Sequence, residues 1–231
     1  MTVLLVLLTL IAFLTADYVI QRARAAQAEE EEFLRADAFQ TPPAGLCLAP
    51  NHTWTTKDGA GVYAVGIDEF LGRLVGAAER ILLPREGEMV GPEHAAIGLA
   101  ARSGSLDLSA PLAGRVVSVN REALENPAIV RKDPYRQGWL MKVKVEAQRP
   151  PAHHALEGMT AVQWMKRELE LAKEFLAGVP GAAAFSTMQD GGLPSEGILN
   201  QYGDDTWRQF AGKFATLRDP AERNASHTAQ R

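Results

Sequence analysis

The tightest constraint on this chain lies between Ser109 and Val145, where proline, glycine and β-branched residues fix a strand, a helical detour and a second strand. Pro111 and Gly114 turn the chain, and Val116, Val117 and Val119 then carry strand weight. Arg121 to Leu124 and Ile129-Val130 read as short helical turns. Asp133-Pro134 ends them, because a residue before proline is pushed away from helical backbone. Trp139-Leu-Met-Lys-Val-Lys-Val145 alternates apolar and polar residues as a half-buried strand does. The order predicts a small β module with one covered face.

Upstream, Lys57-Asp-Gly-Ala-Gly61 is a tight turn, Val62 to Ile67 a strand, and Asp68 the cap of a helix running to Val75. Ile81 to Pro84 and the turn at Glu86-Gly87 lead to Val90. A hairpin follows within Ala96–Pro111, turning at Arg102-Ser-Gly-Ser105, where Gly104 is expected to supply a positive φ.

Several of these stretches resemble the H protein of the glycine cleavage system, a lipoyl-carrying β-sandwich. His52-Thr-Trp54, Tyr63-Ala-Val-Gly-Ile-Asp-Glu-Phe70 and Leu83-Pro-Arg-Glu-Gly-Glu-Met-Val90 carry the likeness, with Glu125-Asn-Pro, Asp133-Pro-Tyr and Gly138-Trp-Leu completing it. The resemblance spans Leu46 to Val145 and implies a mainly β fold with added helices, a lipoyl-like barrel-sandwich hybrid. It also implies a lipoyl lysine on an exposed hairpin, a few residues before the Ala-Pro that opens the next strand. Counting back from Pro111 puts Ser103 there, flanked by Arg102 and Gly104, and no lysine occurs between Lys57 and Lys132. An amide to lipoate needs a primary amine. A serine hydroxyl gives only a labile ester, and a guanidinium stays protonated. The expectation is therefore a degenerate member with no bound cofactor, in which Arg102 is free to meet a partner's acidic group.

The 231 residues carry a net charge of −4, with basic residues scattered among acidic ones, which speaks against nucleic-acid binding. The single cysteine, Cys47, leaves no internal disulfide framework. None of the five histidines, at 52, 94, 153, 154 and 227, has zinc-like spacing to cysteines or carboxylates, so no metal is expected. No nucleophile–base arrangement or phosphate-cradling loop suggests an enzyme.

Thr2 to Ile20 is apolar almost throughout, and about nineteen residues reach ~28 Å, near the ~30 Å of a hydrocarbon core. No basic residue precedes it and no small-x-small cleavage site follows, so residues 1–24 are expected to be an uncleaved anchor rather than a signal peptide. Arg22 and Arg24 follow the span and place the remainder on the cytoplasmic side of an inner (plasma) membrane, with a single pass. Residues 25–45 are expected to form a helical stalk ending at Thr41-Pro-Pro43, and 46–148 the β module.

Residues 149–217 are expected to be a helical extension, and 218–231 a disordered tail. Glu157 to Ala177 has amphipathic spacing, with Trp164, Leu171 and Phe175 widening its apolar stripe. The helix covers the module or docks on a partner subunit. A final short helix places Trp207, Phe210 and Phe214 on one side, and these too are expected to meet a partner. The resulting function is a non-enzymatic, membrane-tethered accessory subunit that binds other proteins. The alternative is a working lipoyl carrier with an atypical attachment site.

Overall fold

Antiparallel pairing of short strands dominates the computed structural model of the protein, which describes residues 39–145, 156–179 and 194–217. The strands are β1 (Leu46–Leu48), β2 (Thr53–Gly59), β3 (Val62–Ile67), β4 (Arg80–Leu82), β5 (Met89–Val90), β6 (Ala95–Ala100), β7 (Ser105–Ser109), β8 (Gly114–Val119) and β9 (Trp139–Lys144). They form a six-stranded sheet, β1-β2-β3-β9-β8-β5, and a three-stranded sheet, β4-β6-β7. Both sheets are open. The mainly β fold with added helices is as expected, and neither sheet of the described residues closes into a barrel.

Local chemistry explains most of the elements. Helix α1 (Glu69–Val75) starts where Asp68 accepts a hydrogen bond from the Leu71 amide at 2.9 Å. In β8 the alternation buries Val116 and leaves Val117 exposed. The helical detour is two short helices, α2 (Arg121–Glu125) and α3 (Ala128–Lys132). Asn120 joins the detour to the returning strand. Its Oδ1 accepts from the Ala123 amide, and its Nδ2 donates to Gln137 O and Trp139 O. Leu140, Met141 and Val143 of β9 are buried, as suits the strand lying between β3 and β8.

Helix α4 (Gly158–Ala177) follows the predicted span within a residue and packs on β1. Leu156, just before it, exchanges backbone hydrogen bonds with Leu48 (2.8 and 3.1 Å) and ties the helix start to the edge strand. The helix thus covers the module, as the first of its two readings expected. The last described elements are a 3-10 turn (Ile198–Gln201) and helix α5 (Asp204–Phe214).

No helix among the described residues is long and apolar enough to cross a membrane. The expected anchor (1–24), most of the stalk, His153 and His154, and the expected tail (218–231) lie outside the described residues.

Candidate functional site

Strands β6 and β7 pair from Ala95↔Ser109 to Ala100↔Ser105, and Ala101 N–H closes the turn on Gly104 O at 2.9 Å. The four turn residues are Ala101, Arg102, Ser103 and Gly104, so the sequence count places Ser103 within the turn. Arg102 is exposed, whereas Ser103 and Gly104 are half-buried.

Gly104 does not have the positive φ expected of it. Its lack of a side chain serves another purpose: a Cβ there would lie within 2.5 Å of indole atoms of Trp207. The turn is thus covered by α5, and Trp207, 1% exposed, sits against it. The indole is held by its Nε1–H, which donates to Leu199 O at 2.9 Å. Beside it, Ser103 Oγ approaches Asn200 Oδ1 at 3.4 Å.

The covering segment is anchored on the far side to the end of α1. Gly197 N–H donates to Arg73 O and Asn200 Nδ2 to Val75 O, both at 2.8 Å. There the backbones of Gly76 and Gly197 nearly touch, and a Cβ on Gly76 would be 2.6 Å from Gly197 Cα. An ion pair between Arg131 and Glu196 (2.7 Å) adds a partly exposed tie. One side chain, Asn200, therefore links the end of α1 to the hairpin turn.

Chemically the turn offers a guanidinium, a hydroxyl and backbone groups, under an indole. A lipoyl amide needs a primary amine with room around it, so the residues present do not fit that group.

The other candidate contacts are placed differently from expectation. Phe210 and Phe214 are fully buried and Trp164 nearly so. Phe214 lies 6.1 Å from Phe70 and 4.7 Å from Phe210, and Phe175 is 6.1 Å from each of Phe210 and Phe214. The expectation that Trp164, Trp207, Phe210 and Phe214 await a partner is corrected, because this chain's own core covers them. Leu171 and Phe175 are half-buried, leaving Arg102 as the one fully exposed candidate.

A buried ionic cluster escaped the sequence reading. His52 is fully buried at φ 61, stacked between Phe70 (4.1 Å) and Trp164 (4.7 Å). Its Nδ1 meets Asp68 Oδ2 at 2.8 Å, and its Nε2 lies 3.7 Å from Glu168 Oε2 on α4. Burial pushes the imidazole pKa down, but the Asp68 carboxylate, helped by Glu168, outweighs it and holds the ring above its ordinary value. The cluster clamps α4 to the module. The signal was the hairpin register: pairing Thr53 with Ile67 brings His52 beside Asp68. Nearby, the Tyr135 hydroxyl is pushed up by burial and then by the Asp68 charge.

An antiparallel β module that displays a covered hairpin turn and carries a clamped C-terminal helix is the class this geometry defines. The chain belongs to the glycine cleavage H-protein family, whose model matches residues 46–168. The "Glycine cleavage system H protein" of Klebsiella pneumoniae subsp. pneumoniae is 37% identical over 103 residues, 44% of this chain and 79% of that protein. The protein of that name from Alteromonas mediterranea is 35% identical over 104 residues, 45% of this chain and 81% of its own length. The crystal structure of a glycine cleavage system H protein from Mycobacterium marinum is 28% identical, covering 52% of this chain and 97% of that one with a TM-score of 0.44.

Proposed function

We propose that this H-protein-like module works without a lipoyl arm, as a non-catalytic protein-binding subunit held at a membrane by its N-terminal segment. The observation that carries this reading is the chemistry of the hairpin turn. Ser103 stands at the position inferred for the family's lysine, and no primary amine lies in the turn. An H protein of the family is typically a lipoyl carrier, and such carriage depends on an amine that swings free. With that amine gone, what remains is a folded surface, and Arg102 is its exposed cation at the hairpin tip. The apolar run Thr2–Ile20, followed by Arg22 and Arg24, supports tethering with the module on the cytoplasmic side.

The test is purification of the full chain from detergent-solubilised membranes of cells grown with isotopically labelled lipoate. Intact mass is expected to show the unmodified polypeptide, in the membrane fraction and with stoichiometric co-purifying chains. Labelled lipoate on the chain would establish the carrier reading in its place. Recovery in the soluble fraction would remove the tether.

A further inference from the structure

Building on the armless reading, we infer that residues 194–217 are a built-in cover that withholds the hairpin tip from lipoate-attaching enzymes, so that even an amine restored at position 103 would be modified only slowly. The cover lies beyond the family match, which ends at residue 168. It therefore adds to the family module rather than forming part of it. It is fitted at two separate points where the chain has no side chain to spare, with Gly104 under the Trp207 indole and Gly76 against Gly197. Asn200 joins these points, donating to Val75 O on one side and facing Ser103 Oγ on the other.

The cover is also held from behind. Phe210 and Phe214 are fully buried, Phe214 beside Phe70 of α1, so α5 cannot lift without exposing aromatic core. An enzyme that modifies a side chain must enclose it, and here one flank of position 103 is occupied by the indole and the carboxamide. Arg102, one residue earlier, is exposed. Modification at 103 would then proceed only through the opened fraction of molecules, and its rate would scale with that fraction.

The experiment uses the full chain as wild type, S103K, S103K/W207A and S103K/G76A, each incubated with lipoate, ATP and a lipoate ligase shown to modify an authentic H protein. Circular dichroism checks folding, and intact mass reads attachment over time. S103K is expected to acquire lipoate at least about tenfold more slowly than the double variants, since its rate carries the open fraction as a factor. G76A loosens the segment from the α1 side without touching the tip, so the comparison survives if W207A does not fold. A further reading leaves the cover intact. In a C47S background, a maleimide should label S103C more slowly than R102C.

S103K modified as fast as a folded double variant would overturn the inference. So would equal labelling of S103C and R102C, or a folded double variant that stays unmodified. Lipoate on the wild type would instead sink the armless reading, and the two failures are therefore distinct.

Discussion

Replacing Asp68 by asparagine isolates the charge at the centre of the buried cluster. The carboxamide of D68N keeps an oxygen for the Leu71 amide, so the cap, worth about 0.5–2 kcal/mol, is largely retained. What is lost is the carboxylate 2.8 Å from His52 Nδ1, in a site where neither side chain reaches solvent. Removing one partner of a buried pair typically costs about 3–5 kcal/mol. Here the cost depends on pH, because the histidine can escape it by shedding its proton.

In the wild type the folded pKa of His52 is raised. Its contribution is therefore fully present below the unfolded value of about 6.5, and is lost as pH rises through the folded value. In D68N burial dominates and the folded pKa falls below the unfolded one, so stability rises with pH through that window. Urea denaturation from pH 6 to 9 should then give slopes of opposite sign, each at most about 1.4 kcal/mol per pH unit for one proton. The deficit of D68N should be near 3 kcal/mol at pH 6 and shrink toward pH 9. H52Q serves as the control that lacks this titration. A D68N slope matching the wild type would refute the reasoning, since the Asp68 charge would then not be what keeps the imidazole protonated.

W207A should lower stability by about 3–5 kcal/mol in the same denaturation assay, because it empties a buried site and removes the bond to Leu199 O. Burial and then Glu157 push the Cys47 thiol up to about 11. Alkylation of Cys47 at pH 8 should therefore run far slower than that of an unperturbed thiol, and E157Q should quicken it, as mass spectrometry can follow. E196A should cost no more than about 1 kcal/mol, because the Arg131–Glu196 pair is partly exposed; a larger thermal shift would show that this tie holds the cover.

The parts of the fold that were legible in the sequence are those specified locally. Asp133-Pro134 had to stop a helix, Asp68 had to cap one, and the β-branched run after Gly114 had to extend, and each did so. The position of the hairpin tip was equally readable, because residues between two paired strands have nowhere else to go. The route of residues 194–217 was not readable, since local sequence gives the helical pattern of Trp207, Phe210 and Phe214 but not the surface that receives it. The role of Gly104 was hidden for the same reason, as the residue it accommodates is about a hundred positions away. The His52 cluster was half legible: hairpin register brings in Asp68, but only the docking of α4 supplies Glu168.

The placement of β9 bears on how the protein is made. Strand β9, the last in sequence among the described residues, sits between β3 and β8, pairing with both. Until residues 139–144 leave the ribosome, the growing polypeptide holds two unsatisfied strand borders facing a gap. A product truncated before Trp139 would keep both borders open and ready to pair with other chains, so translation arrest in this region should yield aggregates rather than a smaller folded module.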